Sequence, residues 1–516
     1  MAEGPHEART ERMQDPPVTG PGPTTKYDFL VVGGGTAGLV ASAGAASLGA
    51  RTALVEKERL GGECLWTGCV PSKALIGSAR IADALGRAAE FGLADERGEG
   101  AGSRPNGLAA AAGVLESVRA VRARVQPHDD PERFRGLGVE VLERTPAHFL
   151  SPNRVQAGDR VLEGRTILVA TGSRPAIPPV EGLAEAGFYT HESAFEEEAL
   201  PRSVVVLGAG PIGVEFAQAY GRLGVEVTLV EMAPRILPNE DAELAEQLGE
   251  HLRAEGVHVL TGMAATSAER SGAEATLQLA AADGSAREPD AVRAVSAERI
   301  FVATGRRANI EGLGLDEAGV VTGRDGIQVD GRLRTSRRHI FAAGDVTGGL
   351  RFTHVADHEA RSVVRNALFP FGRRVDYSVV PWAVFTDPPL ARVGLTEEEA
   401  RDRHGEVRTY RYDTTTLDRV ITDREAGGLV KLITDRRGRL LGGHVMAPSA
   451  GTMIMEVALA MRHGLGIADL STLIHPYPTM SEGIRRAADM YYRAKLTDRS
   501  RRWLDRYFRL TRRLSA

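Results

Sequence analysis

The fold is decided by the stretch Tyr27-Asp28-Phe29-Leu30-Val31-Val32-Gly33-Gly34-Gly35-Thr36-Ala37-Gly38. A short apolar strand runs directly into Gly33, Gly35 and Gly38, which have the spacing G-x-G-x-x-G. The first glycine of such a unit makes the turn, the second lets the backbone approach a pyrophosphate, and the third lets the helix pack on the strand. The helix N-terminus then presents free N–H groups to phosphate oxygens.

The same unit occurs a second time. Ser203-Val204-Val205-Val206-Leu207 is again a short apolar strand, and Gly208, Gly210 and Gly213 follow it with the same spacing. One such motif is weak evidence, because glycine-rich turns are common. Two complete units predict an α/β protein with two dinucleotide sites.

An acidic residue closes each unit at the end of its second strand. Glu56 lies 23 residues after Gly33, and Glu231 lies 23 residues after Gly208. A carboxylate at this place accepts hydrogen bonds from a ribose. The matched spacing therefore predicts that both acids bind nucleotide.

Three further strand ends lie where nucleotides are expected. Residues 166–172 and 299–305 both end in Ala-Thr-Gly, which places Thr171, Gly172 and Gly305 where the chain crosses between domains. The strand at residues 340–343 ends in Gly-Asp, and Asp345 is well placed to bind a hydroxylated chain such as ribityl. Alternatively, Asp345 is a turn residue or a helix cap.

Composition limits the classes of protein that fit. The chain has 516 residues, a formal net charge of −4, 42% apolar residues and 26% charged residues, which is typical of a multidomain globular protein and gives no sign of nucleic-acid binding. No apolar run reaches the length of a membrane span. Residues 1–25 lack the apolar stretch of a signal peptide, so we expect a disordered leader and a cytoplasmic protein.

The only two cysteines lie in Gly61-Gly62-Glu63-Cys64-Leu65-Trp66-Thr67-Gly68-Cys69-Val70-Pro71-Ser72-Lys73. Residues five apart on a regular helix are too distant for a relaxed disulfide. We expect Gly68 and Pro71 to interrupt the helix and bring the sulfurs together. The alternative is two inert, buried thiols, but the neighbouring nucleotide motif favours redox use.

This segment resembles the G-G-x-C-x-x-x-G-C-x-P-S-K signature of the pyridine nucleotide-disulfide oxidoreductases, a family that includes dihydrolipoamide dehydrogenase and mercuric reductase. Residues 305–309, 385–388 and 393–396 also resemble family segments, and the resemblance extends from Lys26 to about Leu496. It implies FAD and a nicotinamide cofactor. The implied FAD ligands are Gly33, Gly35, Gly38, Glu56 and Asp345, and the implied nicotinamide ligands are Gly208, Gly210, Gly213 and Glu231. Thr171, Gly172 and Gly305 are expected to bind a cofactor beside the crossing between the domains.

The resemblance also implies a route for electrons. Hydride passes from NAD(P)H to FAD, Cys69 lies nearer the flavin, and Cys64 exchanges with a dithiol or disulfide substrate. By the same resemblance, Lys73 pairs with Glu215 and lies by the flavin as a cofactor-binding and catalytic cation. Judged from the residues alone, Lys73 and Glu215 are ordinary surface charges. Glu231 favours NAD over NADP, because a carboxylate repels the additional phosphate, although Arg235 could soften that repulsion.

The C-terminal motif departs from the family. The segment His475-Pro476-Tyr477-Pro478-Thr479-Met480-Ser481-Glu482 resembles H-x-H-P-T-x-S-E, in which the second histidine is the acid–base and the glutamate orients it. Here Tyr477 takes that position, and a phenol with a pKa of about 10 is a poor base. His475 could substitute, or it could be the non-catalytic first histidine. Tyrosine at this position is closer to mercuric reductase, yet the C-terminal vicinal cysteine pair of those enzymes is absent.

The family implies a homodimer, in which the C-terminal segment of one subunit completes the active site of the other. The predicted domains are a leader (1–25), an FAD domain (26–180 and 301–373), an NAD(P) domain (181–300), an α+β interface domain (374–496) and a basic amphipathic tail (497–516). For the interface domain we expect strands around Val379-Val380 and Leu429–Ile433. The tail predicts either peripheral contact with an anionic membrane or a helix packed on its own protein.

Three alternatives to a dithiol or disulfide enzyme stay open. The chain could be a flavin-only diaphorase or quinone reductase, a mercuric reductase-like metal-ion reductase, or a non-enzymatic flavoprotein scaffold. We predict no resident metal. The physiological electron acceptor, the choice between NADH and NADPH, and the acid–base residue are not determined by the sequence.

Overall fold

The computed structural model describes residues 24–93, 111–284 and 293–514. The predicted leader falls outside these residues except at its end, where Thr25 already begins the first strand. Within the described residues, no helix is both long and apolar enough to cross a bilayer.

The first sheet joins the two separate stretches of the predicted FAD domain. Its strand order is β3-β2-β1-β6-β5-β4, and β6 also pairs with β16 through its last residues. The strands β3, β2, β1, β6 and β16 run parallel. The bounds are β1 Thr25–Val32, β2 Thr52–Val55, β3 Val139–Leu142, β4 Ala147–Ser151, β5 Arg154–Ala157, β6 Arg160–Val169 and β16 Ile340–Ala342.

Helices cover one face of this sheet, and the other face packs against residues of β4 and β5 and of the segment 313–346. The helix Thr36–Ser47 follows the first glycine loop and packs against Thr353–Leu368, which comes from the second stretch of the domain. The other α-helices that the structure describes in this domain are Gly62–Trp66, Cys69–Gly86, Val114–Val125 and Pro131–Gly136.

The second domain repeats the plan with a four-stranded parallel sheet of order β10-β9-β8-β14. Its last strand pairs with β8, so the predicted boundary between residues 300 and 301 falls inside a strand of this sheet. An antiparallel sheet of order β11-β12-β13 lies beside it. The bounds are β8 Ser203–Leu207, β9 Glu226–Glu231, β10 His258–Thr261, β11 Met263–Ser271, β12 Glu274–Ala281, β13 Arg293–Ala297 and β14 Arg299–Val302, with helices Leu183–Ala186, Pro211–Arg222 and Ala242–Ala254.

A short antiparallel ribbon links the first two domains. It pairs β7 Ser173–Pro175 with β15 Arg306–Ala308, immediately after the two Ala-Thr-Gly segments. This ribbon lies where the sequence predicts that the chain crosses between domains.

The third domain is a five-stranded antiparallel sheet of order β17-β18-β21-β20-β19. The expected strand at Leu429–Ile433 is present, but the expectation for Val379-Val380 was wrong, because the strand begins at Pro381. The bounds are β17 Pro381–Val384, β18 Leu390–Gly394, β19 Arg408–Asp413, β20 Leu429–Thr434 and β21 Leu440–Met446, with helices Glu397–His404, Asp418–Asp423, Ala450–Arg462, Ile467–Thr472 and Glu482–Lys495, then Asp498–Leu514.

Candidate active site and nucleotide loops

The cysteine segment consists of two helices separated by a break. Gly62–Trp66 ends at Thr67, and the backbone of Gly68 (φ −110°, ψ −108°) is neither helical nor extended. The second helix starts at Cys69, so the expected interruption lies at Gly68. Pro71 does not contribute to it, because this residue lies inside the first turn of the second helix, where proline is tolerated.

The break brings the two thiols into hydrogen-bonding contact. The hydrogen bond from Cys64 lowers the pKa of Cys69 to about 6, and Thr353 and Lys73 act in the same direction. The same contact, together with burial, raises the pKa of Cys64. In the reduced pair, Cys69 therefore carries the thiolate and Cys64 keeps the proton.

The cysteine segment rests directly on the first glycine loop. Gly61 N donates a hydrogen bond of 3.0 Å to Gly34 O. At Gly62, an added Cβ would lie 2.7 Å from the Cα of Gly35, too close for any side chain. Glycine at this position therefore lets the cysteine pair approach the loop that is predicted to hold FAD.

Lys73, Glu215 and Phe385 bring the three domains together beside the cysteines. Lys73 lies one turn after Cys69, and its Nζ is 2.9 Å from Glu215 Oε2. The other carboxylate oxygen of Glu215 accepts a hydrogen bond of 2.8 Å from Phe385 N, and the Lys73 ammonium lies 4.6 Å from the centre of the Phe385 ring. The ion pair implied by the resemblance is thus formed, with the buried carboxylate oriented by the third domain.

The two glycine loops have nearly the same geometry. The first glycine of each has a positive φ, +108° at Gly33 and +97° at Gly208. An added Cβ would lie 2.4 Å from Ala170 O in the first loop and 2.5 Å from Ala303 O in the second. The described residues therefore contain two equivalent cradles that admit only glycine, and both fit a dinucleotide pyrophosphate.

The third glycine of each loop permits the helix to pack on the strand. An added Cβ at Gly38 would lie 1.9 Å from Gly33 O, and at Gly213 it would lie 1.8 Å from Gly208 O. Gly35 and Gly210 have more room, which suits an approaching phosphate.

The acidic residues that close the two units, Glu56 and Glu231, also make equivalent hydrogen bonds. Glu56 Oε2 accepts a 2.6 Å hydrogen bond from Gly34 N, and Glu231 Oε2 accepts a 2.7 Å hydrogen bond from Ala209 N. Burial raises the pKa of Glu56. Each carboxylate therefore lies at the edge of its own glycine loop. Arg235 donates to Pro238 O rather than to Glu231.

The first Ala-Thr-Gly segment is hydrogen-bonded to the chain that follows the second one. Thr171 Oγ1 donates to Asn309 O at 2.7 Å, and Asn309 Nδ2 donates back to Thr171 O at 3.0 Å. Both Gly172 (φ +70°) and Gly305 (φ +138°) have conformations that favour glycine. These bonds fix the crossing between the domains beside the first loop.

Asp345 belongs to a polar cluster that the sequence analysis missed. Its Oδ2 accepts a 2.6 Å hydrogen bond from Ser173 Oγ and lies 3.4 Å from Arg306 Nε. Arg306 also pairs with Glu63, which lies 2.8 Å from His191 Nε2. The sequence indicated this cluster only through the position of two of its members, since Glu63 precedes Cys64 and Arg306 follows Gly305 in two motif segments.

The C-terminal motif does not form the implied acid–base pair within one chain. His475 Nε2 lies 3.0 Å from Glu456 Oε2, and Tyr477 Oη donates a 2.5 Å hydrogen bond to Asp418 Oδ2. That bond raises the pKa of Tyr477, which weakens the phenol further as an acid–base group near neutral pH. Glu482 instead pairs with Arg485 at 3.1 Å, so it orients neither candidate.

Two dinucleotide folds that share one dithiol define a flavin-dependent disulfide oxidoreductase. Comparison with known proteins is consistent with this class. The sequence matches the family described as Pyridine nucleotide-disulphide oxidoreductase over residues 27–360 and its dimerisation domain over residues 380–488. The chain belongs to this family, and it is an enzyme of the FAD-dependent type.

Relatives with two different names resemble the chain over most of its length. A mercuric reductase of Staphylococcus aureus is 33% identical over 90% of this chain and 82% of its own length. A dihydrolipoyl dehydrogenase of Bacillus subtilis (strain 168) is 34% identical over 90% of this chain and 98% of its own length. Among solved structures, the HOCl-induced flavoprotein disulfide reductase RclA from Escherichia coli has a TM-score of 0.77 and 26% identity, covering 90% of this chain and 99% of that protein.

Proposed function

We propose that this enzyme transfers two electrons between NAD(H) and a dithiol or disulfide substrate through Cys64 and Cys69, in the manner of a dihydrolipoyl dehydrogenase. The observation that carries the proposal is the position of the pair, at the break between two helices and against the first glycine loop, where Gly61 N donates a 3.0 Å hydrogen bond to Gly34 O. The lowered pKa of Cys69 and the raised pKa of Cys64 support a sequence of exchange steps in which the two sulfurs have different roles.

FAD, when bound, supplies the two-electron acceptor and donor between the nicotinamide and the sulfurs. The residues that would hold it are Gly33, Gly35, Gly38, Glu56, Thr171, Gly172, Gly305 and Asp345. The nicotinamide cofactor would be held by Gly208, Gly210, Gly213 and Glu231, and the carboxylate of Glu231 favours NAD. Lys73 would place a positive charge at the reactive end of the first site, because Glu215 fixes its ammonium group.

Once it has lost its proton, Cys64 sulfur attacks one sulfur of the substrate disulfide and releases the other as a thiolate, which takes up that proton. Cys69 thiolate then attacks Cys64 sulfur and leaves the Cys64–Cys69 disulfide, while the second substrate sulfur departs as a thiolate and takes a proton from solvent. Reduction by NADH returns the pair to one thiol and one thiolate, so one NADH and one proton reduce one disulfide; the reverse sequence oxidises a dithiol.

Cys64 must lose its proton before it attacks, and this step requires a base. We propose that the segment at residues 475–482 reaches this site from the second subunit of a homodimer, which the dimerisation domain supports. Tyr477 and His475 are the two candidates for the acid–base. We also propose that the enzyme works in the cytoplasm.

Counting thiols tests the proposal directly, because the chain contains no cysteines other than these two. We expect the oxidised enzyme to incorporate no iodoacetamide after unfolding and the NADH-treated enzyme to incorporate two, as measured by intact mass. In steady-state assays with dihydrolipoamide, Cys64→Ser should lose turnover. Unchanged turnover in this variant would favour the flavin-only diaphorase instead.

A metal ion as the electron acceptor is the second candidate, since one group of relatives is named mercuric reductase and the RclA structures include a Cu(II) complex. Assays of NADH oxidation with mercuric ion, cupric ion, glutathione disulfide, lipoamide and quinones would separate these functions.

A further inference from the structure

The helix Asp498–Leu514, termed here the tail helix, lies beyond the region that matches the dimerisation domain, which ends at residue 488. Its 17 residues give it a length of about 25 Å. It contains seven arginines and two aspartates and therefore carries a net charge of +5. The redox site and the nucleotide loops do not involve it.

The charges and the apolar residues of the tail helix fall on opposite sides. At about 100° per residue, the eight charged residues up to Arg512 occupy one arc of about 160°. The opposite arc, also of about 160°, contains no charged residue up to this point. It consists of Trp503, Leu504, Tyr507, Phe508 and Leu510, with Ser500 and Thr511 between them.

The apolar arc is open to solvent in the described chain. Trp503 is 65% exposed and Leu510 60% exposed, and Tyr507 and Phe508 are about half exposed. Trp503 and Tyr507 stack on each other, with ring centres 5.8 Å apart. Among the described residues, the hydrophobic clusters of the three domains include no residue of this helix.

The preceding helix shows how a helix of this region buries its apolar side. In Glu482–Lys495, the side chains of Ile484, Ala487 and Ala488 are fully buried against the sheet of the third domain. In the part of the chain that the structure describes, none of the hydrophobic clusters buries the tail helix in this way, although it follows after only two residues. Its apolar arc is therefore available for a surface outside the chain.

We infer that the tail helix binds the surface of an anionic lipid bilayer, lying parallel to the membrane plane. Its Trp, Tyr, Phe and Leu side chains would enter the boundary between headgroups and acyl chains, and its arginines would contact anionic headgroups. A nucleic acid would engage the arginines but leave the apolar arc in water. The inference goes beyond the redox activity, because it concerns where the enzyme works.

Flotation of the full-length holoenzyme with lipid vesicles tests the inference. We expect recovery with vesicles of phosphatidylcholine and phosphatidylglycerol, little recovery with phosphatidylcholine alone, and release at raised ionic strength. A chain that ends at Leu496 should stay in the soluble fraction while keeping full NADH-dependent activity. The membrane dissociation constant should rise about a hundredfold when Arg502, Arg506 and Arg509 are changed to Gln, since each arginine near the surface contributes about 1 kcal/mol.

A matched pair of variants separates insertion of the tail helix into the bilayer from nonspecific adsorption of exposed apolar residues. Trp503→Ser combined with Tyr507→Ser and Leu510→Ser should abolish flotation. The control changes three exposed apolar residues elsewhere, Leu48→Ser, Val321→Ser and Ile421→Ser, and should float like the unmodified enzyme. A blue shift of Trp503 fluorescence on addition of anionic vesicles, absent in Trp503→Phe, would support insertion independently.

Two results would overturn the inference. One is equal recovery of the full-length and truncated proteins in the soluble fraction. The other is a truncated chain that is monomeric where the full-length protein is dimeric, without lipid binding by either, since the tail helix would then belong to the subunit interface. Either result would leave the thiol-counting test of the redox function unaffected.

Discussion

Thr353 Oγ1 lies 3.3 Å from Cys69 Sγ. Thr353 is the first residue of the helix Thr353–Leu368, and Cys69 is the first residue of the helix Cys69–Gly86. Two helix N-termini from distant parts of the chain therefore converge on one sulfur. Because the N-terminus of a helix stabilises negative charge, this arrangement supports a thiolate on Cys69 in addition to the hydrogen bond from Cys64.

We predict that Thr353→Val raises the pKa of Cys69 by about 0.5 to 1 unit, since one hydrogen bond to the thiolate is lost. The measurement is the pH dependence of iodoacetamide alkylation in a Cys64→Ser background, where a single thiol remains. Thr353→Ser keeps the hydroxyl and should match the parent. If Thr353→Val and Thr353→Ser alkylate with the same pH midpoint, the hydroxyl has no electrostatic role.

The reduced protein should gain stability as the pH rises from about 6 toward 9. The pKa of Cys69 in the folded chain is lowered to about 6 from an ordinary value of 9.0. A group whose folded pKa is depressed contributes stability that is complete above the unfolded value and is lost as the pH falls through the folded value. The check is the difference in free energy of unfolding between the reduced protein and Cys69→Ser, measured from pH 5 to about pH 9; a difference that does not change with pH would contradict the thiolate.

Glu215 should contribute to stability through two separate bonds, to Lys73 and to Phe385 N. Glu215→Gln removes the ion pair but keeps an acceptor for Phe385 N, so we expect a loss of about 1 kcal/mol, given the partial exposure of Lys73. Glu215→Ala also leaves the buried N–H without a partner and should cost about 2–3 kcal/mol. Denaturant unfolding of both variants provides the comparison, and equal losses would show that the Phe385 contact is not needed.

Glycine substitutions should separate the two nucleotide sites. Gly33→Ala should reduce the flavin content per chain severely, because a Cβ would meet Ala170 O and strain the loop. Gly208→Ala should keep its flavin and raise the KM for NADH at least tenfold. Gly113→Ala is the control, since its Cβ would enter open space. Loss of flavin in Gly208→Ala instead would mean that the assignment of the loops is reversed.

Local patterns predicted most of the fold, because the strand-loop-helix units are encoded by residues that are neighbours in sequence. Gly33 and Gly208 are predictable from spacing alone, since their function is backbone geometry. The expectation for Val379-Val380 failed for the opposite reason. A pair of valines shows an apolar tendency, but Pro381, which can begin an edge strand, marks the actual start.

The candidate site was only partly predictable. The Lys73–Glu215 pair spans 142 residues and was expected only because the motifs resemble a family. The contacts of Glu63 with Arg306 and of Tyr477 with Asp418 depend on how distant segments dock, and no local spacing encodes docking. The contact between Cys69 and Thr353, which adds to the effect of Cys64 in lowering the pKa of Cys69, likewise joins residues 284 apart.

The meeting of Lys73, Glu215 and Phe385 limits how such a protein can be rearranged in evolution. Each domain supplies one member of the group, so exchange of the C-terminal domain for one with a different backbone at position 385 would free the Glu215 carboxylate to turn. The cation one helical turn from the cysteines would then lose its fixed place. Successful recombination between relatives is therefore expected to preserve this segment together with the second glycine helix, as a single inherited unit.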